Sequence, residues 1–149
     1  MKKPRLLLTN ILIFTITGLI ATVLVPFEAL TNGFDAVEII SCIVLIYFSG
    51  MSITAGYHRL WSHKAYQANA FVRVVLAIGG AMSLQNSILH WCSDHRIHHK
   101  HVDDNEHDPY SAKKGFWYSH IGWMLREYQT HRDADYSNCR DLQKEAVIM

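Results

Sequence analysis

The sequence predicts an all-α protein, an integral-membrane helical hairpin followed by a cytosolic helical region that carries histidine boxes. Two long uncharged apolar runs occupy the first 57 residues. Residues 1–57 hold only three basic and three acidic side chains and no histidine, whereas residues 58–149 hold eleven basic, ten acidic and all ten histidines. Five of those histidines fall into two tight clusters, His58/His63 and His95/His98/His99. A chain of 149 residues has room for about one domain, divided here into a hairpin (1–57) and a histidine-bearing region (58–149). The net charge of +1 offers no basic surface for nucleic acid.

The first run is uncharged from Leu6 to Phe27 and predicts a helix over about 6–27, since ~20 apolar residues at ~1.5 Å each cross a ~30 Å hydrocarbon core. A signal peptide is the rival, because Lys2, Lys3 and Arg5 resemble its basic start. Signal cores are shorter, ~7–15 residues, and no small-x-small cleavage site follows, so a retained helix is favoured. The second run, Ile39 to Tyr57, predicts a helix over about 38–57. Pro26, Asn32 and Gly33 suit the turn between them. That turn carries acids only, while Lys2, Lys3, Arg5, Arg59 and Lys64 lie at the hairpin's two ends, so the positive-inside rule places both ends in the cytoplasm.

A third run, Val74 to Leu89, is short for a span. Crossing there would put the two histidine clusters on opposite sides of the membrane, so an interfacial helix over about 70–90 is expected. Its Gly79-Gly80 pair reads as a packing notch rather than a phosphate loop. Val102 to Ser111 is acidic and loop-like, with Asp108-Pro109 as a turn signal. After Gly115 a helical stripe of Trp117, Ile121, Met124, Leu125 and Tyr128 suits either the membrane interface or core packing. The polar segment 130–138 is expected to be loop.

On a helix turning ~100° per residue, His98 lies about 60° to one side of His95 and His99 about 40° to the other. These three rings share one face. His58 and His63 stand about 140° apart on an ideal helix, so they flank one ion only if the helix ends or bends between them, or if they serve two ions. Neutral imidazole suits Fe, Zn, Cu and Ni, so spacing specifies a transition metal without saying which. His101, His107, His120 and His131 are isolated and read as surface or hydrogen-bonded residues. His90, one turn before Asp94, is a candidate to support the ligands. Cys42, Cys92 and Cys139 form no Cys-x-x-Cys pair and fit a reducing compartment. Cys92 reads as an apolar filler in preference to a ligand. No G-x-G-x-x-G, Walker, G-x-S-x-G or H-E-x-x-H pattern is present, so electrons for redox chemistry would arrive from a separate protein.

Two stretches carry a family resemblance: Gly56-Tyr57-His58-Arg59-Leu60-Trp61-Ser62-His63, and Trp91-Cys92-Ser93-Asp94-His95-Arg96-Ile97-His98-His99-Lys100. Asp108-Pro109-Tyr110 and Gly115-Phe116-Trp117-Tyr118-Ser119-His120-Ile121-Gly122-Trp123 follow in the same order. From about residue 35 onward the chain resembles the membrane fatty acyl desaturases of the acyl-CoA Δ9, stearoyl-CoA-like type. The resemblance implies a cytoplasm-facing di-iron centre, Fe2+ in its resting reduced form, with His58, His63, His95, His98 and His99 as ligands. It implies that O2 is used to remove two hydrogens from an unactivated acyl chain, leaving a cis double bond, in unsaturated fatty acid synthesis. Gln85, Asn86 and Trp91 would lie near the acyl chain, and Asp94 and Arg96 near the ligands or thioester head group. The implied partners are the lipid membrane, acyl-CoA or another acyl carrier, and an electron donor such as ferredoxin, rubredoxin or cytochrome b5 with its reductase. The implied membrane is the cytoplasmic one in a bacterium or the endoplasmic reticulum in a eukaryote.

The chain departs from that family in two ways. Ser93 stands where members often carry Arg. Members also continue into a second hairpin and a third His-x-x-His-His box, which the sequence to Met149 does not contain, so a truncated form or fragment with little activity of its own is expected. A di-iron membrane hydroxylase and a non-catalytic membrane metal-binding protein are the competing readings.

Overall fold

The computed structural model describes residues 4–128 and 136–149; His131 and positions 130–135 of the expected polar loop lie outside the described residues. Four helices make the framework: α1 (Leu8–Thr31), α2 (Ala36–Ser62), α3 (Ala70–Met82) and α4 (Ile88–Lys100). A short α5 covers 116–125. Strand β1 (Arg5–Leu6) pairs antiparallel with β2 (Arg126–Glu127), Arg5 opposite Glu127 and Leu6 opposite Arg126.

Helices α1 and α2, of 24 and 27 residues, are long and apolar enough to cross a membrane. No residue of α1, nor of α2 as far as Met51, is buried. Leu12, Leu19, Phe27, Ile40, Ile46 and Tyr47 all project outward, a surface that lipid tails would cover and water would not. Two threonines within α1 are satisfied locally, Thr17 donating to the Ile13 carbonyl and Thr22 to that of Gly18, each at 2.7 Å. Two of the turn's acids explain where α2 begins. Asp35 accepts from the Glu38 N–H at 2.8 Å and Glu38 from the Asp35 N–H at 2.9 Å, a reciprocal capping box.

From Ser52 to Ser62 α2 is wound as a π-helix, and here the core begins. Tyr57, Leu60 and Trp61 of α2 pack with Ile88 and Cys92 of α4 and with Cys139 and Leu142 of the C-terminal segment. Gly79 and Gly80 are the packing notch expected of them. A Cβ on Gly79 would lie 2.2 Å from Ser52 Oγ, and one on Gly80 2.2 Å from the Tyr57 ring, so α3 presses backbone to side chain against the π-wound turn. Cys92 is fully buried and donates to the Tyr57 carbonyl at 3.4 Å. It is core, the apolar filler expected of it.

The helix expected over about 70–90 ends instead at Met82. Leu84 and Asn86 take left-handed backbone angles, φ +54° and +74°, which no α-helix accommodates. Ser87 then caps a new helix by accepting from the His90 N–H at 3.2 Å. The aromatic helix likewise stops at Leu125, short of Tyr128, because the backbone beyond it turns extended to pair with β1. That pairing is reinforced by Asn10, whose side chain donates to the Met124 carbonyl at 2.7 Å. The start of α1 therefore meets the histidine-bearing region that follows α2, with the Asn32–Asp35 turn at the far end of the hairpin.

Candidate metal centre

The π-winding solves the phase problem of His58 and His63. The His63 N–H donates to the His58 carbonyl at 3.0 Å, an i→i+5 bond, so residues five apart lie over one another rather than on different faces. Their Nε2 atoms are 3.1 Å apart. His95, from α4, brings its Nε2 to 3.0 Å from the same His63 nitrogen. His99, one turn further along α4, completes a set of four whose ligand nitrogens all lie within 4.8 Å of one another.

A neutral imidazole Nε2 carries either one N–H or one lone pair, so His63 Nε2 cannot make good hydrogen bonds to both neighbours. A cation among the lone pairs satisfies all of them. Metal–nitrogen bonds of about 2.1 Å place tetrahedral donors about 3.4 Å apart, close to the spacings seen here. Burial, followed by the imidazoles of His99, His58, His63 and His98, pushes His95 down to about 3. His63 is also lowered, by burial and then by His58, His99 and Arg96. Both shifts favour the neutral form that donates to a metal. The residues fit a histidine-bound transition-metal ion.

His98 stands apart from that set. Its ring centre is 6.2 Å from that of His95, and its Nδ1 lies 2.9 Å from Asp108 Oδ1. Asp108 is fully buried and also accepts from the Asp103 N–H at 2.9 Å and the Tyr110 N–H at 3.1 Å. Burial pushes its carboxyl up, but the His98 and backbone hydrogen bonds outweigh it and the net shift is downward. An ionised Asp108 accepting from Nδ1–H leaves His98 Nε2 as the donor nitrogen, the usual way a carboxylate orients a metal-binding histidine. Tyr110 OH, 3.3 Å from His95 Nδ1, approaches a second histidine from the same loop. The sequence showed Asp108 and Tyr110 only as parts of a turn motif. Their contact with His98 and His95, ten and fifteen positions back, depends on how the loop folds over α4.

Of the five expected substrate residues, Gln85, Asn86, Trp91 and Asp94 line one cleft of about 310 Å³ together with His90, His95, Tyr110, Ser119 and Trp123. Trp91 stacks on His95 at 4.7 Å and donates from its indole to Gln85 at 3.1 Å. Asp94 is buried with its Oδ2 3.6 Å from His90 Nε2. Arg96 lies elsewhere. It donates from Nε to the Ser62 carbonyl (3.2 Å), from Nη2 to that of Trp61 (2.8 Å), from Nη1 to that of Asn138 (2.7 Å), and bidentately to Asp141 at 2.8 and 3.0 Å. All five guanidinium N–H groups are engaged within the chain. Beside it, Ser93 and Asn138 exchange two hydrogen bonds, at 2.8 and 2.9 Å.

The fatty acid desaturase family model matches residues 37–147. A probable acyl-CoA desaturase of Schizosaccharomyces pombe is 44% identical over 119 residues, covering 80% of this chain and 24% of its own length. The stearoyl-CoA desaturase of Bos taurus is 41% identical over 110 residues, 71% of this chain and 30% of the relative. The acyl-CoA Delta-9 desaturase of Acheta domesticus is 34% identical along 99% of this chain, which spans 43% of it. The chain thus spans roughly a quarter to under half of the length of these relatives.

Proposed function

Because the chain belongs to the fatty acid desaturase family, we propose that it acts in O2-dependent desaturation of a saturated acyl chain, carried as acyl-CoA or on a similar carrier, at a histidine-held di-iron centre. The observation that carries this reading is the junction of two features: four converging imidazoles and a cleft that reaches His95 past Trp91. Bound iron would supply the oxygen-activating redox chemistry that an unactivated C–H bond demands, and electrons would come from a separate donor protein. His58, His63, His95, His98 and His99 would hold it.

The chain's own residues would perform the rest. Asp108 fixes the ring of His98 and Tyr110 approaches that of His95. Trp91 covers one face of His95, lending the cleft an apolar wall beside the ligands and restricting water there. Gln85 sets the indole through its hydrogen bond, and Asn86 enters the cleft from a left-handed turn. Ser119 and Trp123 from α5 line the opposite side. The membrane hairpin would hold this mouth at the cytoplasmic surface, a reading supported by the acid-only turn at its far end and the basic residues at its near one.

The test is metal and product together. The full chain, in lipid nanodiscs and supplied with Fe2+, should retain iron and convert a saturated acyl-CoA to a product two mass units lighter when given O2 and a reduced electron donor. A chain that retains only zinc and forms no such product overturns the proposal in favour of a non-catalytic metal-binding protein. A product heavier by one oxygen would make it a hydroxylase.

A further inference from the structure

We propose that His101, Asp104 and His107 form a second metal site, for a divalent transition-metal ion that braces the loop holding Asp108. The proposal does not depend on the desaturase reading, because it uses none of the residues placed at the histidine centre.

The three residues were unconnected in the sequence except by even spacing, His101-x-x-Asp104-x-x-His107. The loop coils so that this spacing becomes a cluster. The Asp104 N–H donates to the His101 carbonyl and the Asp108 N–H to that of Asp104, both at 2.9 Å. One ligand atom from each of the three side chains then lies within 4.8 Å of the other two. Asp104 Oδ2 is 2.7 Å from His107 Nδ1, and the rings of His101 and His107 face one another with centres 5.0 Å apart. Donors of a tetrahedral ion lie about 3.4 Å apart and no pair here is wider than 4.8 Å, so the cluster needs to close by at most about an ångström and a half. Half-exposed side chains make that adjustment by small rotations. The side chains of His107 and Asp104 are 58% and 41% exposed, which leaves an ion free access from water.

The donor set selects the ion. Two imidazoles and one carboxylate suit Zn2+ or a neighbouring first-row ion and not Ca2+ or Mg2+, which require oxygen donors. Three protein ligands leave a fourth position to water. Asp104 Oδ1 meanwhile accepts from the Glu106 N–H at 2.8 Å, so the carboxylate is already oriented with its other oxygen toward His107. The consequence lies four residues on. Asp108, which orients His98, takes a further hydrogen bond from the Asp103 N–H. An ion tying His101 at the end of α4 to Asp104 and His107 would close the loop around both ends of that bond.

The bland alternative is a hydrogen-bonded turn in which His101 merely stacks on His107. Zinc content separates the two. The untagged full chain in nanodiscs, stripped with chelator and equilibrated with Zn2+, is compared with His101→Ala/His107→Ala and with His63→Ala/His95→Ala. The first variant should hold one zinc fewer than the parent. The second should keep a zinc that a chain carrying all four substitutions lacks. Asp104→Asn should weaken that site by more than about tenfold. Amide exchange over 101–111 should slow with Zn2+ in the parent and in His63→Ala/His95→Ala, but not in His101→Ala/His107→Ala. Equal zinc in the parent and in His101→Ala/His107→Ala overturns the site, and exchange that ignores Zn2+ in every chain overturns the bracing.

Discussion

The two histidine segments supply the same ligand from helices wound in different ways. In α4 the spacing of His95 and His99 suits ordinary α-winding, and one turn separates two rings that share a face. In α2 the spacing of His58 and His63 is wrong for an α-helix, and the chain winds as a π-helix where those residues lie. π-winding is rare and recurs at functional sites, so here it must be held by its surroundings. Gly79 and Gly80 bring α3 against it, and Arg96 ties the Trp61 and Ser62 carbonyls at its end to α4 and the C-terminal segment. The lesson is that ligand spacing is legible only together with the winding that delivers it.

His63→Ala should have the largest effect, because its ring nitrogen stands at hydrogen-bond distance from a histidine of each segment. Its Nε2 is within 3.1 Å of His58 and His95 alike. Metal affinity should fall by more than about a hundredfold, beyond the 10–100-fold that loss of a supporting group costs. Asp108→Asn supplies that smaller figure, about 10–100-fold, through His98 alone. Both are read as metal per chain after dialysis against a graded chelator. Affinity unchanged in His63→Ala would remove the shared centre and leave two unrelated histidine patches.

Arg96→Ala tests whether the π-wound end needs its tie. Five hydrogen bonds, two of them to a one-third-exposed Asp141, are lost, and three carbonyls lose their donor, so stability should drop by about 3 kcal/mol. Arg96→Lys should recover little, since an ammonium cannot reproduce the planar fork. The readout is the thermal unfolding midpoint in detergent. Parent-like stability in Arg96→Ala would assign the holding of the π-turn to α3 alone.

What the sequence disclosed was local. Two uncharged runs marked the hairpin, and the i, i+3, i+4 pattern placed His95 and His99 on one face. His58 and His63 were left with a choice between a bend and two ions, because periodicity assumes a winding. Whatever depended on distant partners was not legible. Arg96 was expected near the ligands or a thioester head group, but the partners that engage its five donors, Ser62, Trp61, Asn138 and Asp141, could not be read from the sequence. His98 shared a face with His95 and His99 in the sequence, but its hydrogen bond to the distant Asp108 could not be read there. The single apolar run 74–89 concealed the break at Leu84 and Asn86, which makes two helices of one and leaves Gln85 and Asn86 on the wall of the cleft.

Gly80→Ala and Gly18→Ala contrast the packed half of the molecule with the lipid-facing half. A Cβ at Gly80 would strike the Tyr57 ring, whereas nothing lies within 4 Å of one at Gly18. Gly80→Ala should cost about 2 kcal/mol by overpacking and strain the π-turn. Gly18→Ala should be neutral or stabilise by up to about 1 kcal/mol through helix propensity. Unfolding midpoints that move together would mean α3 does not press on α2.

The smallest effect concerns the carboxylate at the far end of the tie. The Arg96 hydrogen bond, then that from Lys64, holds the Asp141 carboxyl far below the ordinary carboxylate range against the opposing effect of burial. Its folded value is lower than its unfolded value, so its contribution is complete above the unfolded pKa of about 3.9 and is lost as pH falls below that. By pH 3 the loss should reach about 1 kcal/mol after allowing for screening of a partly exposed pair. Asp141→Asn lacks that titration, so the stability gap between parent and variant should narrow from pH 6 to pH 3. A gap that stays constant across that range would show that Arg96 is held by its three carbonyls and that Asp141 adds no charge-dependent grip on the π-wound end.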